Sequence, residues 1–306
     1  MPRRVLVVVN PISGLGKSLR AAERFALAYR AAGGVAEIHP TRSAGDGGRR
    51  AAGAAGEGFQ AVVAVGGDGT VNEVVNGMRG AGAGSAALPV GIVPMGTANV
   101  LARELRVHLD PEEAAAVVAT GRERAVDLGE ARNGAGETRR FLACAGAGFD
   151  AAVVKAVAEG RRGGLGFRGW AGPIWRTFRA YDFPPVRVAA DGGAAIPATI
   201  AIVCNTANYG GLLSLVPTAD PGDGAFDACL IDARRRRSLF RYAFAAWRGT
   251  LARQGDVKTL RGRTILIEAD RPVPAQVDGD PFGSTPLRIT VHPGAARILV
   301  RAKEGA

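Results

Sequence analysis

Ala61-Val62-Val63-Ala64-Val65 runs directly into Gly66-Gly67-Asp68-Gly69-Thr70, and a helical pattern starts at Thr70. A buried strand that feeds a glycine turn and then a helix is a phosphate-binding geometry. The glycines let backbone N–H groups approach an anion closely, and the helix N-terminus adds a favourable dipole. Asp68 would repel a phosphate unless a cation bridges it or it takes a proton from a nucleophile. That combination points to phosphoryl transfer rather than passive nucleotide binding. On local grounds alone, the plain alternative is a tight turn in which Asp68 caps the helix.

The same order of strand, loop and helix recurs through the first third of the chain. Val5 to Val9, Val35 to Pro40 and Leu88 to Val93 read as further strands. Leu19 to Ala31, Val71 to Met78, Ala98 to Leu105 and Pro111 to Thr120 read as helices, the last with Asp110 as N-cap and Pro111 in its first position. Such alternation implies a parallel sheet with helices on both faces. After about Ala125, short β-rich runs separated by Gly, Pro and Asp take over: Phe141 to Ala145, Val186 to Ala190, Thr199 to Cys204, Ala228 to Ile231, Thr264 to Glu268, Leu287 to Val291 and Arg297 to Arg301. This is the texture of an antiparallel β domain. The expected organisation is therefore an α/β domain over 1–125, a β domain over 126–300 and a tail over 301–306. The Gly80 to Gly84 stretch reads as a loop.

No apolar stretch approaches the roughly 18 residues that span a bilayer, and the start lacks the apolar region of a signal peptide. Cys144, Cys204 and Cys229 sit in apolar contexts without ligand spacing, which suggests reduced core thiols and a cytoplasmic protein. His39, His108 and His292 have no partner motif. The net charge of +11 suits nucleic acid, an anionic membrane or a phosphorylated substrate. Without a zinc knuckle, an RNA-recognition signature or a long basic helix, nucleic acid is not expected.

Two further loops carry chemistry. Asn10-Pro11-Ile12-Ser13-Gly14-Leu15-Gly16-Lys17-Ser18 has a superficial P-loop ending, but Pro11 stands where a P-loop needs glycine. Pro94-Met95-Gly96-Thr97-Ala98-Asn99 again joins a strand to a helix, and Thr97 and Asn99 can bond a phosphate or a base, or cap that helix. In the β region, Phe167, Trp170, Ile174, Phe178 and Tyr181 recur at helical spacing among arginines. That pattern suits either a membrane interface or a helix packed over the β domain with snorkelling arginines, and the packed helix is the expectation, with Pro173 interrupting it.

Taken in order, Asn10 to Gly14, Gly66 to Thr70 with Asn72 and Glu73, and Pro94 to Asn99 resemble the bacterial lipid kinases of the diacylglycerol kinase catalytic-domain family, which includes sphingosine and ceramide kinases. Tyr209-Gly210-Gly211, Val216-Pro217, Asp223 to Asp227 and Gln276-Val277-Asp278-Gly279-Asp280 extend the match over nearly the whole chain. The resemblance implies a nucleotide-binding α/β domain and a C-terminal antiparallel β-sandwich, with the active site between them. It implies ATP contacts from Asn10, Pro11, Ile12, Ser13, Gly14, Thr41, Gly66, Gly67, Asp68, Gly69, Thr70, Val71, Asn72 and Thr97. It implies Mg²⁺ held by the Asp223 carboxylate and the backbone carbonyls of Asp220 and Ala225, an oxygen-only set that suits this ion.

The activity so implied is transfer of the ATP γ-phosphoryl to a lipid hydroxyl, that of diacylglycerol or a related lipid. Asp280, Asp68 and Asp278 are the catalytic candidates, and either Asp280 or Asp68 accepts the proton. The family usually has Glu where this chain has Asp280, so the reach is one methylene shorter. The enzyme is expected to work peripherally at the inner membrane surface. Arg234, Arg235, Arg236 and Arg237 are its best lipid contact, with the Arg161-Arg162 to Arg168 segment second. An exposed sheet edge would allow a homodimer. Two alternatives stand beside this reading. One is an NAD kinase, which also carries a GGDG loop but is disfavoured by Asn10 to Gly14 and Asp278 to Asp280. The other is a catalytically weak lipid or nucleotide sensor, supported by Asp280 alone.

Overall fold

Runs of valine without a polar break build the first sheet. In the computed structural model, which describes residues 4–79, 88–107, 110–160, 170–233 and 235–302, they form β1 (Arg4–Val9), β2 (Val35–Pro40), β3 (Ala61–Gly66) and β4 (Val90–Pro94). The Gly80 to Gly84 loop, His108, Arg161, Arg162, Phe167, Arg168, Arg234 and residues 303–306 lie outside the described residues. The chain divides into two units, one of Met1–Val126 with Gly294–Ala306 and one of Asp127–Pro293.

In the first unit the strands run parallel in the order β2-β1-β3-β4. Both faces of β1 and β3 are buried and therefore need cover on each side. Among the described residues, the first unit's α-helices are α1 (Ser18–Ala31), α2 (Asp46–Ala52), α3 (Asp68–Arg79), α4 (Val100–Glu104) and α5 (Pro111–Thr120). Phe25 and Tyr29 of α1 and Val118 of α5 cover Val5, Val7, Val63 and Val65. On the other face Val8 lies against Gly47 of α2. α2 and α3 meet backbone to backbone, since a Cβ on Gly77 would fall 2.1 Å from the Gly48 carbonyl oxygen. Asp110 caps α5 as its sequence indicates, accepting from the N–H of Glu112 at 3.0 Å and of Glu113 at 3.4 Å.

β5 (Arg122–Arg132) leads into the second unit. There β6 (Thr138–Phe141), β7 (Cys144–Ala147), α6 (Phe149–Glu159), α7 (Ala171–Ala180), β8 (Val186–Ala190), β9 (Ile196–Ala198), β10 (Ile200–Cys204), β11 (Asn208–Tyr209) and β12 (Leu213–Ser214) follow. β13 (Phe226–Ile231), α8 (Ser238–Trp247), β14 (Val257–Gly262), β15 (Thr264–Glu268), β16 (Pro274–Val277), β17 (Asp280–Ser284) and β18 (Leu287–Val300) come next among the described residues. One antiparallel sheet has the order β14-β13-β10-β7-β16-β17. A second layer pairs β18, β15, β8 and β9 in turn, with the β5–β6 hairpin beside β18. Their facing side chains, Val203, Phe226 and Leu230 against Val188, Ile265 and Leu287, form one core, as a sandwich requires. On the outer face of the first layer, Tyr242, Ala245 and Ala246 of α8 pack on Ile200, Ile202 and Ile231.

Three local readings differ from the structure. The runs at Leu287 and Arg297 form a single strand, β18, whose end at Ile298 pairs with Val90 and so belongs to the first unit. Phe141 to Ala145 breaks between β6 and β7 at Leu142-Ala143. Pro173 does not interrupt α7. It lies in the first turn, where a missing N–H costs nothing.

Candidate functional site

In the first unit, the loops after β1, β3 and β4 meet at one end of the sheet. Asn10 donates its backbone N–H to the Val65 carbonyl at 3.1 Å, and Thr41, at the end of β2, donates to Val9 at 2.8 Å. Met95 donates to the Gly66 carbonyl at 2.8 Å, and Gly14 packs against Met95. A Cβ on Gly96 would lie 2.5 Å from the Gly67 Cα, so only glycine lets these two loops touch. The structure thus gathers Asn10 to Gly14, Thr41, Gly66 to Asn72 and Thr97 around one sheet end.

Thr70 and Val71 donate to the Gly67 carbonyl at 3.0 and 3.2 Å, which starts α3 within the glycine turn. Asp68 opens that helix, and its Oδ1 accepts the Leu101 N–H from the first turn of α4 at 3.3 Å. Its negative charge therefore sits at two helix N-termini, where it is favourable. Asn76 bonds back to the Asn72 carbonyl at 2.9 Å and to the Asn72 side chain. Thr97 is exposed, whereas Asn99 is spent within its own loop: its amide accepts from Gly96 N–H and donates to Gly96 O, both at 2.8 Å. Glu73 accepts the Gly48 N–H at 3.2 Å and ties α3 to α2. Ile12 and Leu15 stand almost fully exposed at the tip of the first loop.

In the second unit, Asp278 and Gly279 form the two-residue turn between β16 and β17, with φ of 48° and 80°. The Asp278 carboxylate accepts three backbone N–H groups, from Leu142 at 2.9 Å, Ala143 at 2.9 Å and Cys144 at 3.0 Å. It bridges the gap between β6 and β7. Asp280 is exposed at the hairpin tip.

The Asp220 to Ala225 loop is held from behind by a residue that sequence reasoning passed over. Asp127, buried in β5, accepts the Gly224 N–H at 2.7 Å and donates its own N–H to Pro221 at 2.5 Å. Asp223 and Asp227 share the Arg261 guanidinium, at 2.7 and 2.9 Å. Burial raises the Asp227 carboxyl above its usual range, against the opposing charge of Arg261. The loop offers an ion the Asp223 carboxylate and main-chain carbonyls, a donor chemistry that fits Mg²⁺. Among the described residues, no three His, Cys, Asp or Glu side chains cluster as metal ligands.

A second overlooked acid, Asp150, opens α6 and joins two of the recognised segments. Its Oδ2 accepts from the Tyr209 hydroxyl and from Gln276 Nε2, both at 3.3 Å. Part of the residue reaches solvent, but Oδ1 is buried without a partner. Desolvation pushes the carboxyl up to about 6. Burial, and then the Asp150 charge, raises the Tyr209 hydroxyl well above its ordinary value. The sequence signal for both overlooked acids is a lone carboxylate within an apolar run, Ala125-Val126-Asp127-Leu128 and Gly148-Phe149-Asp150-Ala151. Cys204 and Cys229 are buried free thiols and Cys144 is half-buried.

Residues 4–131 match the diacylglycerol kinase catalytic domain, and residues 143–300 match the YegS C-terminal NAD kinase beta sandwich-like domain. A diacylglycerol kinase of Mycobacterium tuberculosis is 30% identical over 300 residues, covering 97% of this chain and 94% of its own. A diacylglycerol kinase of Bacillus subtilis is 26% identical over 289 residues, covering 93% and 92%. Among solved structures, a diacylglycerol kinase from Bacillus anthracis shares the fold with a TM-score of 0.73 at 22% identity, covering 98% of this chain and 97% of its own. The chain belongs to the diacylglycerol kinase family, phosphotransferases with an alcohol group as acceptor.

Proposed function

We propose that the chain transfers the γ-phosphoryl of ATP to the hydroxyl of diacylglycerol or a related lipid at an anionic membrane surface. The observation that carries this reading is the meeting of glycine loops at the end of the parallel sheet, with Gly67 against Gly96 and Asp68 at the start of α3. Backbone N–H groups of the glycine turn at Gly67 to Gly69 hold phosphate oxygens, and Asn10 to Gly14, Thr41 and Thr97 frame the nucleotide. Asp223, with the carbonyls of Asp220 and Ala225, would hold a Mg²⁺ ion that offsets the phosphate charge. Asp280 takes the hydroxyl proton. Its carboxylate is exposed and carries no side-chain hydrogen bond or ion pair to any described residue, while Asp68 already serves the Leu101 N–H.

No helix among the described residues is long and apolar enough to cross a membrane; in this reading the lipid is reached peripherally. The exposed Arg235, Arg236 and Arg237 supply charge for that contact. The test is Mg²⁺-dependent transfer from labelled ATP to a panel of vesicle-borne lipids, with NAD as a competing acceptor and Asp68→Ala as control. Labelled lipid that disappears with Asp68→Ala supports the reading. Labelled NAD moves the chain to the NAD-kinase branch.

A further inference from the structure

Helix α8 has two apolar faces, and its own fold uses one. Tyr242, Ala245 and Ala246 point into the core, while Phe240, Phe244 and Trp247, at spacings of four and three, are 63%, 58% and 64% exposed. A helix packed on a sheet needs a single apolar stripe. Helix α7 is more extreme. Its apolar side chains segregate to one side, yet none of its residues is buried, and Ile174 and Trp175 are 43% and 55% exposed. α7 rests against α6, as the expected packed helix would, but leaves much of its apolar stripe uncovered.

The two stripes join. Trp175 stacks on Phe178 with ring centres 5.6 Å apart, and Phe178 meets Phe240 at 5.2 Å. Arg236 donates to the Arg179 carbonyl and ties the end of α7 to the start of α8. The chain's three tryptophans, Trp170, Trp175 and Trp247, all lie in or at the start of these helices. Neither helix contains Asp or Glu. Arg176, Arg179, Arg237 and Arg248 are exposed around the aromatic rings, while Asp256 balances Arg241.

We propose that the α7–α8 face is a membrane-docking surface, whose aromatic rings enter the interface of an anionic bilayer while the surrounding arginines bind its phosphates. Exposed apolar patches of this extent mark interaction sites. Tryptophan beside arginine, on helices that themselves carry no acid, matches the chemistry of an anionic lipid interface. Docking here presupposes the lipid-kinase reading for its purpose alone, because the vesicle-binding readouts below involve no nucleotide.

The full chain is mixed with vesicles of phosphatidylglycerol and phosphatidylcholine in equal parts, and separately with phosphatidylcholine alone. Tryptophan emission and co-sedimentation are read. The anionic vesicles are expected to shift emission to the blue, to quench it when their acyl chains are brominated, and to carry the protein down in a salt-sensitive way. The variant Phe240→Ala/Trp247→Ala should bind about tenfold more weakly, yet phosphorylate a dispersed short-chain diacylglycerol at the unchanged rate. Bromolipid quenching of the unmodified protein keeps the test decisive if that variant folds poorly. Unchanged emission with anionic vesicles overturns the proposal, as does unweakened binding by a folded variant. So does a dimer in sedimentation velocity that the double substitution splits while vesicles leave emission alone, which assigns the face to a second copy of the chain. Loss of kinase activity with intact vesicle binding would instead strike the functional reading and leave the docking surface standing.

Discussion

Asp278 and Asp280 stand two residues apart on one hairpin and meet different surroundings. The Asp278 carboxylate is fixed by three backbone N–H groups. Asp278→Ala is expected to leave those donors unmatched and to cost about 3 kcal/mol, read as a lower urea midpoint. Asp280 is exposed. Asp280→Asn should keep the urea midpoint and the ATP affinity while lowering kcat by roughly 10²–10⁴-fold, the usual worth of a positioned proton acceptor. A full rate in that variant would transfer the role to Asp68. Asp150 carries a separate pH prediction. Its carboxyl is raised to about 6 by desolvation, above an ordinary value near 3.8. The folded state thus holds this proton more tightly than the unfolded chain, so the group's relative stability is greatest below pH 4 and is lost as pH rises through 6. Asp150→Asn removes the ionisation. Between pH 4.5 and 7.5 the variant should gain roughly 2 kcal/mol over the parent, and parallel urea midpoints across that range would refute it.

At the scale of elements, the glycine loops read well from sequence because each is local: a strand end, a turn and a helix start within about ten residues. The contact between loops was less legible. Nothing in Gly66 to Thr70 announces that Gly67 will lie on Gly96, since that approach depends on β3 and β4 being neighbours. Gly96→Ala tests it. The added methyl has backbone in its way, so the loops must part, at a cost of about 1–3 kcal/mol. ATP affinity, measured by calorimetry, should fall at least as far as stability, because the displaced loops are the ones assigned to phosphate. The Asp278-Gly279 hairpin also reads as a turn from sequence. Its partners in the β6–β7 gap are more than 130 residues away and leave no local mark. For α7, the spacing of its aromatics gave the helix correctly, while how much of its apolar stripe stays exposed depends on neighbours distant in sequence, α6 and Phe240 of α8.

At the scale of the whole molecule, the parallel half was legible and the strand that returns to it was not. Strand-helix alternation reports a parallel sheet because each crossover is contiguous in sequence. Strands of the β half pair across long separations, and alternation alone does not say which run joins which sheet. The last strand shows the consequence. By composition 294–300 continues the β domain, yet it returns to the first unit, where Ile298 pairs with Val90 and Leu299 enters the core with Phe25 and Val118. Ile298, Leu299 and Val300 are each at most 5% exposed. Burial of three such side chains is worth roughly 5 kcal/mol, about the whole stability of a modest domain. A fragment of residues 1–126 is therefore expected to be unfolded or aggregated at 25 °C. The same fragment joined through a Gly/Ser linker to 294–302 should melt cooperatively and regain ATP binding. Circular dichroism melts and calorimetric ATP titrations of the two fragments decide it. Equal melting would mean that the returning strand decorates the first unit rather than completing it, and its burial there would have to be offset by rearrangement of β4 and α5.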